Sequence, residues 1–313
     1  MSFASKVKNN LCRIKSESLK SQESQLSSII RTNGQIHIVG MNKTNLTIKS
    51  ENAAVVRLVF ILFKKIFNIN TEIETKSNFR KHRKNSYVIK INNSNDILLK
   101  LSILTKSNGF YQIVNKIDPE MIATKELKKA YLRGIFLGGG SINDPKSSYH
   151  LELNVHSRVF AESINELLMD FELNSNLIKR KNNYVVYIKE SESIVKFLSI
   201  IGAHNALLEY ENIRTLKEVR NDVNRRVNCE TANLNKTIDA SIRHINAIEN
   251  IKQKKGLDFL SKELQNIAKL RLENKEASLK ELSQLYDTNI SKSSMNYRLK
   301  KIEKISKKID KEE

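Results

Sequence analysis

Arg83-Lys84-Asn85-Ser86-Tyr87-Val88 and Arg180-Lys181-Asn182-Asn183-Tyr184-Val185 are nearly the same phrase, written twice and 97 residues apart. Each joins a basic, turn-forming cluster to an alternating apolar strand. A basic-loop-and-strand unit that recurs at this distance makes the N-terminal two thirds of the chain a pseudo-symmetric pair, and the elements around each copy follow the same order.

In the first copy, Phe3, Val7, Leu11 and Ile14 share one face of a helix expected within residues 1–20. A second helix over about 24–32 is expected to stop at Gly34 through a positive φ. Strands around Ile36 and Ile38 and around Leu46 and Ile48 flank a turn at Gly40-Met41-Asn42-Lys43. A helix over about 53–67, strands over 70–76 and 87–91, and a short helix over 96–104 complete the unit. The second copy reads as a helix over 125–137 closed by Gly138-Gly139-Gly140, a strand over 149–155, a helix over 158–170, strands over 174–180 and 184–189, and a helix over 193–201. Asp118-Pro119 interrupts the chain between them. The fold class is α+β: a duplicated αββαββα domain followed by an all-α domain.

Beyond Gly202 the composition changes. Ile213, Leu216, Val219, Val223 and Val227 mark one helical stripe and Ile238, Ile242, Ile245 and Ile248 another, so two long helices are expected, or one kinked at Asn233-Leu234-Asn235. Residues 257–309 then read as a small helical bundle. Ser278-Leu279-Lys280-Glu281 has the form of a capping box, and Ser291 or Ser293 caps a last helix that carries Met295, Leu299, Ile302, Ile305 and Ile309. A short helix, a turn and a basic helix form the helix-turn-helix pattern, whose second helix enters the major groove by its first turns. Ser291, Lys292, Ser293, Ser294, Asn296 and Arg298 stand at that entrance, with Lys300 and Lys301 behind them. Ammonium and hydroxyl groups suit phosphate, while Asn and Arg pair with base edges. From Lys292 to Lys308 seven Lys or Arg face a lone acid, Glu303. The plainer reading of the same helix is a solvated face of a docking module.

The totals agree with a polyanionic partner. The 54 Lys and Arg against 34 Asp and Glu leave a net charge of +20, which fits nucleic acid first, an anionic membrane surface second and compositional drift third. Cys12 and Cys229 are isolated, which argues for a reducing compartment and against a disulfide scaffold or a thiolate zinc site. The longest apolar stretch, residues 53–63, contains Arg57 and is far below the roughly 20 residues a membrane span requires. No histidine cluster marks a metal site, and Gly138-Gly139-Gly140 lacks the Lys-Ser/Thr of a phosphate loop, so neither metal nor cofactor is expected. Lys81, Arg83 and Lys84 in one copy, Arg180 and Lys181 in the other, are candidate phosphate contacts. Arg220 and Arg225 are further candidates, and an interdomain hydrogen-bonding role fits them equally well.

Leu132-Arg133-Gly134-Ile135-Phe136-Leu137-Gly138-Gly139-Gly140 resembles the LAGLIDADG helix of homing endonucleases, with Leu26 to Gly34 as a decayed first copy. That resemblance implies paired central helices, a β saddle for DNA and acidic metal ligands at the helix ends. The corresponding positions here are Asn33 and Gly139, so cleavage by that mechanism is not expected, although glycine there lets helices approach closely. The stretches Tyr131 to Pro145, Ser148 to Glu152, Lys217 to Glu230, Ala232-Asn233, Ser278 to Leu282 and Ser291 to Leu299 are similar to the WhiA family of bacterial regulators. Met295 and Tyr297 depart from that family's usual smaller or imidazole side chains.

What the WhiA resemblance implies is a sequence-specific, non-catalytic binder of double-stranded DNA that acts in transcription, sporulation-linked cell division and chromosome segregation. It would be cytoplasmic and nucleoid-associated, with transcription or cell-division proteins as further partners. The expected division is a degenerate LAGLIDADG-like domain at 1–205 with halves of about 1–115 and 120–205, a helical linker at 206–255 and a helix-turn-helix domain at 256–313. Two other readings stay open: a protein-interaction scaffold in cell division with weak DNA affinity, and a surviving nuclease.

Overall fold

The computed structural model describes residues 2–14, 18–39, 43–76, 85–107, 109–286 and 290–311. The chain divides into two units, Met1–Lys217 and Glu218–Glu313.

The first unit opens with α1 (Phe3–Leu11), which buries Phe3, Val7 and Leu11. It ends at Leu11, shorter than the expected span. Next, α2 (Leu19–Asn33) is capped by the Ser18 side chain, which accepts from the Ser21 amide. Strands β1 (Gly34–Val39) and β2 (Lys43–Ser50) form an antiparallel hairpin, and α3 (Ala53–Phe67) follows with Asn52 accepting from the amides of Ala54 and Val55. β3 (Ile73–Lys76), β4 (Ser86–Ile91), α4 (Asn95–Lys100), β5 (Leu104–Ser107) and β6 (Phe110–Ile113) complete the first half. After a 3-10 turn at Pro119–Ile122, the second half runs α5 (Lys125–Gly139), β7 (Gly140–Ile142), β8 (Leu151–Val155), α6 (Arg158–Met169), β9 (Asn176–Arg180), β10 (Asn183–Ile188) and α7 (Ser191–Ile201).

The duplication is visible in the sheets. One has the strand order β1-β2-β4-β3 and the other β7-β8-β10-β9, both wholly antiparallel. Apolar side chains on one face of each sheet, Leu46, Ile48 and Ile89 in the first and Leu151, Leu153 and Ile188 in the second, enter a single core with α2 and α5 at its centre. Alternation then leaves polar side chains on the opposite face, as β8 shows: Leu151, Leu153 and Val155 are buried while Glu152 and Asn154 are not.

Three expectations need correction. Gly34 has φ −85° and ψ 142°, so the chain passes from helix straight into strand without a left-handed residue. Glycine is needed there for space, because a Cβ would stand 2.6 Å from the Ile30 carbonyl oxygen. The region expected as a helix over 96–104 is shorter and gives way to the β5–β6 pair, which has no counterpart in the second half among the described residues. The segment after Gly202 is neither paired helices nor a kinked one: α8 (His204–Lys254) is continuous through Asn233-Leu234-Asn235. Asn lowers helix propensity only modestly, and no Pro or Gly lies within the segment to break it.

The second unit holds the later part of α8, a 3-10 turn at Leu257–Phe259, α9 (Lys262–Glu273), α10 (Leu279–Leu285) and α11 (Lys292–Ile309). Its separate core joins Ile248 and Ile251 of α8 to Leu264, Ile267, Leu282, Met295, Leu299 and Ile302. No helix among the described residues is long and apolar enough to cross a membrane.

Candidate nucleic-acid interface

The geometry of the last three helices begins with their caps. At α10 the capping box is complete: the Glu281 amide donates to Ser278 Oγ (3.3 Å) and the Ser278 amide donates to Glu281 Oε2 (2.7 Å). Those hydrogen bonds hold the Glu281 carboxyl below the usual carboxylate range. At α11 it is Ser291, not Ser293, that caps, accepting from the Ser294 amide at 3.1 Å. The connection over 287–289 lies outside the described residues.

Arg271 of α9 fixes the loop that precedes α10. It is 2 % exposed, yet among the described residues it pairs with backbone carbonyls and a hydroxyl rather than with a carboxylate. Instead Nη1 donates to the carbonyl oxygens of Ala277 (2.7 Å), Asn274 (3.2 Å) and Lys275 (3.4 Å) and to Ser241 Oγ (3.3 Å). The Ser241 hydroxyl donates in turn to the Lys275 carbonyl. One buried guanidinium thus gathers the carbonyls of the α9–α10 turn onto α8. Nearby His244 is 3 % exposed and 3.5 Å from Glu303 Oε1. Burial, then repulsion from Arg271, Arg243 and Lys300, lowers its pKa from 6.5 to about 4, so it sits in the core as a neutral ring.

The candidate residues of α11 separate by face. Met295, Leu299, Ile302, Ser306 and Ile309 are buried. Ser291, Lys292, Ser293, Lys300 and Lys301 are exposed, and Ser294, Asn296 and Arg298 lie between. Arg298 is engaged within the module: its Nε donates to Glu263 Oε1 of α9 at 2.6 Å, a second guanidinium nitrogen pairs with the same oxygen, and a third contact reaches the Ser294 hydroxyl.

In the first unit Arg180 is also engaged. Its guanidinium makes a fork to Glu152, Nη1 to Oε2 at 3.1 Å and Nη2 to Oε1 at 2.9 Å, and His150 Nε2 lies 2.7 Å from that Oε1. Burial pushes the Glu152 carboxyl up, but hydrogen bonds from His150 and Arg180 outweigh it and leave the group below the usual carboxylate range. Lys181 is an exposed residue of the β9–β10 turn at φ +53°. Lys81, Arg83 and Lys84 lie outside the described residues. Arg220 and Arg225 are exposed on α8, whereas Lys217 is drawn onto the Tyr149 ring at 4.9 Å from its centroid.

The two helix ends that would carry metal ligands do not fit a divalent ion. Asn33 closes α2 with a neutral amide, and Gly139 has no side chain to offer. A Cβ on Gly139 would lie 2.3 Å from the Asn154 carbonyl oxygen, so a carboxylate cannot be accommodated there without displacing β8. Hard divalent cations need several oxygen ligands. Among the described residues no group of three or more His, Cys, Asp or Glu could hold a metal ion.

Sequence reasoning did not find Arg271, His244 or Glu263. Each acts through a partner 30 to 59 positions away, as in Arg271 to Ser241 and His244 to Glu303, and no periodicity connects such pairs.

A duplicated domain of two like-ordered sheets around two closely packed central helices, one of them carrying glycine at the contact, together with a module ending in a capped basic helix, defines a LAGLIDADG-like protein that carries a helix-turn-helix. The comparisons with known proteins agree along the chain. Family models match as the WhiA N-terminal LAGLIDADG-like domain (residues 19–104), the WhiA LAGLIDADG-like domain (128–220) and the WhiA C-terminal HTH domain (223–306). The chain is 47 % identical to the "Probable cell division protein WhiA" of Thermoanaerobacter sp. (strain X514), over 99 % of this chain and 98 % of that protein. It is 42 % identical to the protein of that name from Clostridium novyi (strain NT), over 100 % and 99 %. The crystal structure of full-length DUF199/WhiA from Thermatoga maritima is similar with a TM-score of 0.60 and 29 % identity, covering 98 % of this chain and 99 % of that one. The chain belongs to the WhiA family.

Proposed function

We propose that this chain binds double-stranded DNA through α11, reads its sequence, and serves as a non-catalytic transcription regulator in cell division and chromosome segregation. The observation that carries this reading is the exposed cationic side of α11, where Ser293, Lys300 and Lys301 line the side away from the buried Met295, Leu299 and Ile302 and Lys292 is exposed in the first turn. A helix held by its apolar face on α9 and α10, with ammonium and hydroxyl groups outward at its N-terminal half, suits a major groove. Lys181, Arg220 and Arg225 would add phosphate contacts, as would Arg180 once released from Glu152. Similarity to relatives named as cell division proteins supports the cellular role, and the cytoplasm and nucleoid are where that role would be exercised.

Titrating the full chain into duplex DNA at several salt concentrations tests the reading. Neutralising six to ten phosphates makes affinity fall about 10³- to 10⁵-fold between 50 and 200 mM salt. Binding that is weak and indifferent to salt rejects it.

A second reading, a scaffold that binds division or transcription proteins with weak DNA affinity, is favoured by α8. Val219, Val223, Val227, Leu234, Ile238 and Ile242 follow a helical stripe and are each about half exposed or more. Salt-insensitive association with a division protein, without duplex binding, would favour it over the first.

A further inference from the structure

The outermost row of α11 carries an aromatic ring. Each residue of an α-helix turns by about 100°. With Met295, Leu299, Ile302 and Ser306 inward, the diametrically opposite positions are Ser293, Tyr297, Lys300 and Lys304, all exposed. Tyr297 is 70 % exposed and stands at the middle of the row, one turn after Ser293 and one turn before Lys300 and Lys301. Arg298 is turned to the flank, where its guanidinium is held by Glu263 and Ser294 and its side chain is 21 % exposed. The residue type best suited to bidentate base pairing is therefore committed within the module, and the aromatic side chain on the outward row, 70 % exposed, is a phenol.

A phenol carries two means of discrimination. Its ring can pack on the thymine C5-methyl group, which cytosine lacks, and its hydroxyl can donate to thymine O4 or adenine N7 while lysines on either side meet phosphate. The geometry points to Tyr297 as the specificity-determining residue of this module, reading an A·T pair in the major groove, with Arg298 serving the α9–α11 joint through Glu263. This inference rests on the DNA-binding reading above.

The test uses the full chain and a pool of random-sequence duplexes. Wild-type protein is expected to recover a preferred sequence containing a required A·T pair. Tyr297→Ala is expected to keep binding of unselected duplex within about twofold, while its preference for the recovered sequence falls about tenfold or more. Replacing the required thymine by deoxyuridine, which removes only the methyl group, should weaken the wild type severalfold and leave Tyr297→Ala unaffected; Tyr297→Phe should retain sensitivity to the methyl. Arg298→Gln should recover the same sequence and melt at a lower temperature. A Tyr297→Ala protein that recovers the wild-type sequence with undiminished preference overturns the assignment, as does a changed sequence in Arg298→Gln alone. If wild-type protein prefers no sequence, the DNA-reading function itself fails, a result visible before any variant is made.

Discussion

A Cβ built on Gly134 of α5 would stand 1.9 Å from the Ser28 hydroxyl of α2. The two central helices therefore meet backbone to backbone, and Gly138 repeats the arrangement one turn later against Thr32 Oγ1, also at 1.9 Å. Helices this close pack through small residues, because any side chain at the crossing would force the axes apart. Gly139 belongs to another contact, with the Asn154 carbonyl of β8.

Gly134→Ala is expected to destabilise the first unit by about 3 kcal/mol, the upper range for overpacking a filled core. Removing the hydroxyl with Ser28→Ala does not restore it, since the Gln25 carbonyl oxygen would still lie 2.4 Å from the new methyl group. Thermal unfolding of the single and double variants measures both effects.

Arg271→Leu removes the donor shared by Ala277, Asn274 and Lys275 and leaves their part-buried carbonyls facing an apolar side chain. A loss of about 3 kcal/mol is expected for the second unit, because hydrogen bonds to a charged donor are each worth about 1.5–3 kcal/mol. Hydrogen exchange across 279–309 should accelerate while exchange in the first unit is unchanged.

His244 makes the second unit sensitive to acid. Its pKa is lowered from 6.5 to about 4 in the folded chain, so below pH 6.5 the unfolded chain takes up the proton first. Stability from this group is complete above about pH 6.5 and is lost as pH falls toward 4, by up to about 3 kcal/mol. Urea titrations between pH 7 and 4.5 should show that decline, and His244→Gln should flatten it.

Lys300 and Lys301 are exposed on the outer side of α11. Replacing both with Ala should weaken binding to all duplexes alike and lower the slope of log affinity against log salt by about 1 per lysine. A change in sequence preference without a change in slope would instead give these lysines a base-reading role.

With Asn33 and Gly139 at the helix ends, supercoiled DNA should remain uncut by the full chain in Mg²⁺ or Mn²⁺. Ion-dependent nicking that disappears on substitution of Asn33 would restore the nuclease reading.

Much of this architecture is legible in the residue order, because strands and helices announce themselves over short distances. The recurrence around Tyr87 and Tyr184, the spacing of Phe3, Val7 and Leu11, the Ser278 to Glu281 cap and the charge of the last helix are all local, and each recurs in the folded chain. The β5–β6 hairpin was missed because Ser102 to Ile113 is short and follows a real helix, so its few apolar residues do not distinguish turn, helix and strand. The continuity of α8 was missed because asparagine mid-helix is a weak signal in either direction.

Sequence alone determined the duplication and the positive charge of the last helix, since these depend on residue type and on periods of two and 3.6, while the neutral residues at Asn33 and Gly139 gain meaning only through the resemblance to LAGLIDADG helices. Tertiary structure alone decided that Arg298 is spent on Glu263, that Arg180 is tied to Glu152 and that Tyr297 projects from the module. Partner choice among charged side chains depends on which elements the core brings within a few ångströms, and residues 263 and 298, or 152 and 180, become neighbours only after the helices and strands have packed.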